Sequence, residues 1–436
     1  MKHATLKLTC ILGALLCAVT LLHAQDIADH WQATLGQGDH QLRIILIIEK
    51  ADSSTFKANV YSIDQTPQPM AANTISLHDG TLTFTIDAVH ASYEGKLDPS
   101  GNTITGTFTQ GKPAPLIFER AAPATAWQID PSPHKVQFIP VDTDVKLEVL
   151  DWGGTGRPLI LLTGLGDNAH VWDKFAPKLT PNYHVYGITR RGFGASTAPT
   201  PTSTNYKADR LGDDVLAVID ALHITRPILA GHSIAGQELS SIGTRHPEKL
   251  AALIYLDAGY PYALYDKTHG ALLIDAIEVR DQINQFFSDI APAEQQQLIG
   301  DLLANLQQLQ KSLQLQQQDM QAVPPPPSTG HPPTPSPAFF AIRQGVQRYN
   351  TIQGVPVLAI FADPHDLGNA MKDKPEVRAA MEAIDLRNVE GQAKAFETQV
   401  PNAKVIRIPH ANHYVFRSNE DDVLREMNAF IATLPN

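Results

Sequence analysis

From about residue 135 to its C-terminus, the chain alternates short apolar runs with stretches that have the periodicity of amphipathic helices. Helical spacing of apolar residues marks, for example, DRLGDDVLAVIDAL and EDDVLREMNAFIATL. Several apolar runs are nearly continuous, as in strands buried on both faces of a parallel sheet: PLILLTGLG, RPILAGHS, KLAALIYLDAG and VPVLAIFAD. This order predicts an α/β fold over residues 135–436, with a mostly parallel, doubly wound sheet.

Residues 26–122 show a different pattern, in which apolar and polar side chains alternate with a period of two. TLTFTI alternates throughout, and YEGKL and TITGTFTQ flank the turn-forming residues DPSGN, which is typical of a β-hairpin. The pattern predicts a small antiparallel β domain of roughly six to eight strands, either a barrel or a sandwich. The stretch AAPATAWQIDPSPH then breaks both periods and indicates a linker over residues 123–134.

The first 24 residues have the three regions of a secretory signal peptide. Lys2 and Lys7 supply a basic start, LTCILGALLCAVTLL an apolar core, and LHA a cleavage site after Ala24. Because the apolar core is short for a membrane span, we expect cleavage and export to the periplasm or the extracellular space. A retained membrane anchor is the alternative, and no integral membrane span is expected after cleavage.

Both cysteines of the chain, Cys10 and Cys17, lie in this N-terminal segment. The exported protein would therefore have neither a disulfide nor a cysteine metal site. Since the rest of the sequence shows no H-E-x-x-H motif or comparable cluster of ligands, we expect no bound metal. The formal net charge of −11, without a basic cluster, argues against a nucleic-acid partner and leaves the oligomeric state open.

Residues 261–349 interrupt the alternation of strands and helices, because they contain no apolar strand. AEQQQLIGDLLANLQQLQKSLQLQQQDMQ is rich in Gln and carries apolar residues at helical spacing. The proline-rich segment 324–337 that follows suits neither a helix nor a paired strand. We interpret 261–349 as a helical cap inserted into the sheet domain, with a proline-rich loop.

One serine stands at a strand-to-helix junction, in the stretch LAGHSIAGQEL. Ser233 follows the strand RPILA and precedes the helix IAGQELSSIG, with the small residues Gly231 and Ala235 two positions away on either side. A G-x-S-x-(small) motif in this context indicates a nucleophile elbow, in which a tight turn projects the serine beyond the end of the sheet. The backbone N–H of Ile234 would then face a developing oxyanion.

A serine nucleophile needs a base and an acid, and both are available after later strands. In IPHANHYVF, His413 follows the last strand by a short loop and precedes the final helix, whereas His410 stands closer to the strand end. We therefore predict His413 as the base. For the acid, the stretch FADPHDLG favours Asp366, with Asp363 and, after the strand ALIYL, Asp257 as alternatives.

With these landmarks in order, the chain from about His134 to its C-terminus resembles the α/β-hydrolases. LTGLGDNAHVW is similar to the family's oxyanion loop, with Thr163 in place of the usual His and the backbone N–H of Leu165 as the implied second oxyanion donor. TRRGFGAS is similar to the family's Asp-x-Arg-Gly-x-Gly-x-Ser stretch, with Thr189 where Asp is common. Separately, ASYEGKLDPSGNTITGTFTQG resembles a β-rich module that precedes hydrolase domains in exported bacterial proteins.

Serine at the elbow differs from the Asp that haloalkane dehalogenases and epoxide hydrolases of this family carry there. The resemblance therefore implies acyl transfer to water, with a small-molecule ester as the default substrate and no cofactor. Amide or peptide hydrolysis, or cofactor-free perhydrolysis, could use the same residues. The alternative of a different class is a non-catalytic exported binding protein that retains the fold.

Aromatic side chains near the elbow and in the cap are candidates for the lining of a substrate pocket. His232 and Trp172 flank the expected site, and Tyr260 and Tyr262 follow the strand before the cap. The cap adds Phe286, Phe287, Phe339 and Phe340. An apolar pocket of this kind would suit small hydrophobic acyl groups, although core packing explains aromatic residues equally well.

Overall fold

The structure, a computed structural model, describes residues 26–36, 41–52, 55–63, 68–130, 132–266, 268–324 and 335–435. The chain divides into two compact units, one formed by residues up to Val60 and Met70–Trp127, the other by Tyr61–Pro69 and Gln128–Asn436. The signal peptide predicted over residues 1–24 and most of the proline-rich segment 324–337 lie outside the described residues. Within the described ranges, no helix is both long and apolar enough to cross a membrane.

A single antiparallel sheet forms the first unit. Its strands are β1 (His30–Leu35), β2 (Leu42–Lys50), β3 (Phe56–Ser62), β4 (Met70–Ala71), β5 (Thr74–His78), β6 (Thr81–Ile86), β7 (Ala91–Leu97), β8 (Thr103–Gln110) and β9 (Lys112–Arg120). They lie in the order β4-β3-β2-β1-β9-β8-β7-β6-β5. The sheet thus has nine strands, more than the sequence pattern predicts, and it is one sheet rather than the two of a sandwich. The two-residue β4 is too short to show an alternating pattern.

One face of this sheet covers a core. Along β7, every second residue from Ala91 to Leu97 is buried. The buried rings of Phe84, Tyr93 and Phe118 pack together, and the Tyr93 ring lies 5.2 Å from each of the other two. The first unit therefore buries an apolar core of its own.

A second sheet organises the other unit. Its strands are β10 (Lys135–Asp142), β11 (Val145–Gly153), β12 (Arg157–Leu162), β13 (Tyr183–Ile188), β14 (Ile228–His232), β15 (Ala252–Leu256), β16 (Val357–Ala362) and β17 (Lys404–Ile408). Their order is β10-β11-β13-β12-β14-β15-β16-β17, with antiparallel pairs at β10–β11 and β11–β13 and parallel pairs thereafter. Every residue of β14, β15 and β16 is buried, as their continuous apolar runs predict. The predicted mostly parallel α/β sheet is confirmed.

Helices cover both faces of this second sheet. They are α1 (Ala176–Leu179), α2 (Ala208–Ala221), α3 (Gly236–Arg245), α4 (Tyr260–Ala263), α5 (Leu272–Phe286), α6 (Pro292–Ala322), α7 (Pro337–Gln344), α8 (Pro375–Gln399), α9 (Val415–Ser418) and α10 (Glu420–Ile431). One apolar core joins α2, α3 and α8 to the sheet, and another joins α1 and α10. Neighbouring strand residues alternate between them, so that Leu159 belongs to one core and Ile160 to the other.

The insertion predicted between two strands is helical. Helices α4 to α7 all lie between β15 and β16, and the Gln-rich stretch forms the 31-residue helix α6. The sequence analysis did not anticipate α8, a 25-residue helix between β16 and β17. Helix α8 becomes important below, because it carries a carboxylate that faces the candidate site.

The carboxyl ends of the parallel strands meet at one edge of the second sheet, where open α/β sheets bind their ligands. Ser233 follows β14, Asp257 follows β15, His365 lies just beyond β16, and His413 lies just beyond β17. The topology therefore gathers polar side chains from four separate strands at one place.

Candidate active site

Ser233 lies in a tight turn between β14 and α3. Its backbone φ is +55°, in the left-handed region that residues with a side chain rarely adopt. Small neighbours are required there, because a Cβ on Gly231 would come 2.9 Å from the Cβ of Ala235. Ser233 is partly exposed, whereas His232 and Ile234 on either side are buried. The turn thus presents this serine, and neither neighbour, to the edge of the sheet.

His413 is held by a buried carboxylate. Its Nδ1 lies 2.6 Å from Oδ2 of Asp257, whose side chain is only 2% exposed. The other carboxylate oxygen of Asp257 accepts a hydrogen bond from the backbone N–H of Ala362 (3.1 Å). Burial alone would raise the pKa of Asp257, but hydrogen bonds from His365 and His413 outweigh it and lower the pKa. Asp257 is therefore the ionised partner of His413.

The structure does not bring the favoured acid, Asp366, to His413. An isolated bridge between His365 and Ala411 continues the pairing of β16 with β17 three residues beyond Ala362. His365 turns toward Asp257, and the exposed Asp366 instead accepts the backbone N–H of Gly368 (2.8 Å). The prediction of Asp366 as the partner of His413 is thus corrected to the alternative, Asp257.

Asp363, the other alternative, also faces away from His413. Its Oδ2 lies 3.3 Å from Nε of Arg407. Burial and a hydrogen bond with Glu390 raise the pKa of Asp363 to about 6. Asp363 therefore belongs to a carboxyl pair on the far side of β16.

The sequence analysis missed His365, which connects Asp257 to a second carboxylate. His365 Nε2 lies 2.8 Å from Asp257 Oδ2, and its Nδ1 lies 2.8 Å from Oδ1 of Asp385 on α8. Burial would lower the pKa of His365, but these two hydrogen bonds raise it to about 10. His365 is therefore an imidazolium between two carboxylates, and it balances one of the two negative charges behind His413.

His232 supports the loop that carries His413 rather than acting as a second base. Its Nε2 lies 3.0 Å from the carbonyl oxygen of His413, and the two rings are 4.6 Å apart. Burial and the nearby charge of His413 lower the pKa of His232 to about 3. The neutral ring donates from Nε2 to this carbonyl and so fixes the loop's position.

Two tyrosines from α4 cover the serine and the histidine. Tyr262 lies near Ser233: burial raises the pKa of the Tyr262 hydroxyl well above its usual value, and the Ser233 side chain partly opposes that shift. Tyr260 stacks on Tyr262 with ring centroids 5.3 Å apart, and its hydroxyl lies 3.2 Å from His413 Nδ1. Both predicted pocket tyrosines are therefore in contact with the triad residues.

Arg190 holds the loop after β12 by two of its carbonyl groups. Arg190 donates from Nη2 to the carbonyl of Thr163 (2.7 Å) and from Nη1 to that of Gly164 (3.2 Å), and it pairs with buried Glu238. Because a trans peptide directs its C=O and N–H oppositely, the N–H of Leu165 points away from Arg190. Leu165 and Ile234 belong to one apolar cluster, which brings the two predicted oxyanion donors to the same region.

Other predicted pocket residues lie elsewhere. Trp172 is fully buried in the core beneath the sheet, with its ring 4.1 Å from that of Phe416. Phe287 is 82% exposed, and Phe286 and Phe340 are also on the surface. These side chains therefore do not line an enclosed pocket. The structure adds a residue that the sequence analysis missed: Asp167, with a carboxylate 3.2 Å from the Tyr414 hydroxyl and a pKa raised by burial.

The cap closes an apolar cluster over Ser233. Leu165, Ile234 and Tyr262 pack there with cap residues that include Ala338 and Ile342. A separate, more polar cavity of about 290 Å³ opens beside Tyr260 and is lined by α6 and α8 residues rather than by the serine. Ile234, the residue after Ser233, therefore belongs to an apolar cluster that includes cap residues.

Among the described residues, two groups could hold a metal ion, although the sequence analysis found no such cluster. One is Asp257, His365 and His413, whose pairwise hydrogen bonds account for its geometry. The other, Asp130, His134, His170 and Asp173, lies outside the triad. The expectation of no bound metal stays a prediction, although the fold brings together residues that the sequence does not show as a cluster.

Comparisons with known proteins place this arrangement in a family. The model of the alpha/beta hydrolase fold matches residues 157–419. A fluoroacetate dehalogenase from a Burkholderia species is 31% identical over 117 residues, which are 26% of this chain and 38% of that protein. The 3-oxoadipate enol-lactonase 2 of Acinetobacter baylyi is 32% identical over 112 residues, or 26% of this chain and 41% of that protein. The chain thus spans less than half the length of these relatives.

Among solved structures, E-2-(acetamidomethylene)succinate hydrolase aligns with a TM-score of 0.43 and 19% identity, covering 69% of this chain and all of that one. The family model, by contrast, covers well over half of the chain and includes the strands β12 to β17. The chain therefore belongs to the α/β-hydrolase family.

Proposed function

We propose that this chain is a serine hydrolase that transfers the acyl group of a small ester to water. The hydrogen bond of 2.6 Å between His413 and the buried carboxylate of Asp257, beside a serine held at φ +55°, carries the proposal. A nucleophile, a base and an orienting acid are the three parts that such chemistry needs. We further propose, from the N-terminal 24 residues, that the enzyme acts outside the cytoplasm.

The geometry assigns a role to each group. Asp257 accepts the Nδ1–H of His413 and fixes that tautomer, so Nε2 is free to take the proton of Ser233 as its oxygen attacks the carbonyl carbon. The backbone N–H groups of Ile234 and Leu165 would stabilise the oxyanion. His413 then protonates the leaving alcohol, and water releases the acid by the same route.

The substrate class follows from the surroundings of Ser233. The partly buried side chains of Leu165 and Tyr262 pack with Ile234, the residue after Ser233, which favours a small hydrophobic acyl group over a charged one. The lactone cleavage named for the Acinetobacter relative is an ester-type reaction of the kind proposed. Dehalogenation, named for the Burkholderia relative, is not proposed, because Ser233 stands where dehalogenases of the family carry Asp.

Reaction with a fluorophosphonate probe tests the proposal. We expect one label per chain in the folded wild type, no label in Ser233→Ala, and much slower labelling in His413→Ala, because only an activated serine reacts readily. Intact-protein mass spectrometry counts the labels, and heat-denatured wild type is the negative control. A well-folded wild type that stayed unlabelled would favour the binding-protein alternative.

Matched esters and amides of the same short acyl group test the bond type. We expect the esters to be hydrolysed faster, because the alcohol of an ester is a better leaving group than the amine of an amide. Preference for the amide, or for a charged acyl group, would contradict the proposed substrate class while leaving the triad in place.

The buried imidazolium of His365 sets the pH range of this activity. We expect His365→Gln to shift the acid limb of the kcat/KM profile to higher pH by roughly 1 unit. The variant removes the positive charge of His365, whose ring lies 6.0 Å from that of His413. The negative charge of the carboxylates near His413 is then uncompensated. The measurement is the rate of ester hydrolysis from about pH 4 to about pH 10, a range that includes the ordinary pKa values of glutamate and histidine side chains.

Asp385→Asn is the matched control, because it removes one of the two carboxylates instead of the cation. Its acid limb should move to lower pH, and by less. The pKa of His365, raised from 6.5 to about 10, also predicts that its contribution to folding stability is complete below pH 6.5 and is lost as the pH rises through 10. Equal profiles for both variants and wild type would show that His365 has only a packing role.

A further inference from the structure

Four potential metal ligands come together away from Ser233. Asp130 and His134 lie just before β10, and His170 and Asp173 lie at the short helical turn that follows the loop of Leu165. One ligand atom from each of the four residues falls within 4.8 Å of all the others. No step of the proposed hydrolysis uses any of them.

The distances between these atoms suit one small cation. Asp130 Oδ2 lies 3.0 Å from His134 Nε2, His170 Nδ1 lies 3.1 Å from Asp173 Oδ2, and the two pairs approach to 3.9 Å between Asp130 and His170. Around a tetrahedral zinc ion with bonds of about 2.0–2.2 Å, ligand atoms are separated by roughly 3.3–3.6 Å. Only small side-chain movements would bring these four atoms from their observed positions to those around a zinc ion.

The outer nitrogen of each histidine faces a further carboxylate oxygen. His134 Nδ1 lies 3.2 Å from Asp173 Oδ1, and His170 Nε2 lies 3.6 Å from Glu148 Oε1. Metal-bound histidines usually direct their second nitrogen to a carboxylate or carbonyl in this way, which fixes the tautomer and the ring orientation. Glu148 thus lies on the side of His170 where such a partner is expected, although its oxygen is beyond hydrogen-bond distance.

The cluster is buried and incompletely satisfied. The side chains of His134 and His170 are 1% and 2% exposed. Within the described part of the chain, His134 Nδ1, His170 Nε2 and Asp173 Oδ1 form no hydrogen bond, although each is buried. Polar atoms that are buried in this way usually have a partner, so the metal-free arrangement leaves the outer side of this cluster unsatisfied.

Neighbouring contacts hold both ligand-bearing segments in place. Trp152 donates to the Ser132 hydroxyl (2.7 Å), and its ring packs edge-on against His134 at 5.4 Å. The Asn168 side chain accepts the backbone N–H of His170 (3.0 Å) and caps the helical turn. The ligands are therefore prepositioned on two supported segments.

We propose that Asp130, His134, His170 and Asp173 form a structural Zn²⁺ site. Two imidazoles and two carboxylates offer the nitrogen and oxygen ligands that zinc accepts, whereas calcium and magnesium prefer oxygen alone. Four protein ligands close the coordination shell, so the ion would stabilise the turn after the Leu165 loop rather than take part in chemistry. Two carboxylates would neutralise its charge.

Metal binding is tested on the purified full chain, which is made with a tag that contains no histidine. The chain is first stripped of metal with a chelator and then loaded with Zn²⁺. We expect one Zn²⁺ per chain by elemental analysis after desalting, a rise in Tm on adding Zn²⁺, and the visible spectrum of tetrahedral Co²⁺ after substitution. His134→Gln should weaken Zn²⁺ binding by at least about 100-fold in a chelator competition, because a ligand loss costs at least as much as an outer-shell change. Asp130→Asn, at a side chain that is 29% exposed, is the second variant should His134→Gln fold poorly.

Two further variants locate the ion. His365→Gln disables the other possible ligand group, and His184→Gln removes a lone histidine–aspartate pair with Asp151 (2.9 Å). Both should keep full Zn²⁺ affinity. Binding that survives His134→Gln and Asp130→Asn but is lost in His365→Gln would place the ion at the triad and overturn the proposal. Wild type that retains no zinc and gives no tetrahedral Co²⁺ spectrum would overturn it too, and would identify the cluster as a metal-free ion-pair network.

Discussion

Ser233→Ala is expected to lower kcat for ester hydrolysis on the order of 10⁶-fold, to the level left by binding and the oxyanion donors. Alanine keeps the turn but removes the oxygen that forms the acyl-enzyme. The measurement is the initial rate on an activated ester that the wild type cleaves, with circular dichroism to show that the variant is folded.

The triad should also behave as a unit. Ser233→Ala/His413→Ala is expected to be about as slow as Ser233→Ala alone, because a base has no function without its nucleophile. Ser240→Ala is the matched control: this buried serine on α3 hydrogen-bonds only to the Tyr255 hydroxyl among its described contacts (3.0 Å) and should leave kcat within about twofold. If the rate loss of the double variant equalled the product of the losses of the two single variants, Ser233 and His413 would act in separate steps.

The positions of the proposed nucleophile and base could be predicted because their signals are local. The elbow needs a strand, a left-handed turn with small neighbours and a helix, and all of these stand in one short stretch around Ser233. His413 follows the last strand by a loop of fixed length. For both residues, the backbone at that point determines where the side chain lies.

The acid could not be chosen from the sequence in the same way. Asp257, Asp363 and Asp366 all follow strands that end at the same edge of the sheet, so strand order alone admits each of them. The decision depends on where each side chain turns after its strand ends, and only the folded structure shows that Asp257 lies 2.6 Å from His413.

The possible metal ligands gave no sequence signal because their contact is long-range. Asp130 and His134 are separated from His170 and Asp173 by β10, β11 and β12. Each pair has the three- or four-residue spacing that brings side chains to one side of a turn, but such pairs are common. Only the sheet, which brings the segment before β10 beside the loop after β12, shows that they meet.

Asp257→Asn is expected to lower kcat on the order of 10⁴-fold, whereas Asp366→Asn should change it by less than about threefold. The amide of Asn would donate to His413 Nδ1 instead of accepting from it, which leaves a proton on Nε2, where a base is needed. The Asp366 carboxylate accepts the backbone N–H of Gly368 in its own loop, and no hydrogen bond between it and His413 is found among the described residues. The pair of variants therefore compares two carboxylates that the sequence alone could not separate.

Asp257→Asn also deprives His365 of a charged partner, so its effect must be separated from a loss of structure. The same change made in the His365→Gln background has no buried imidazolium to leave unpaired, and it should still lower kcat by about the same factor. Tm measured for each variant detects unfolding. If Asp366→Asn were the inactive variant while Asp257→Asn retained its rate, the hydrogen bond of 2.6 Å to Asp257 would not be the one that orients the base during catalysis.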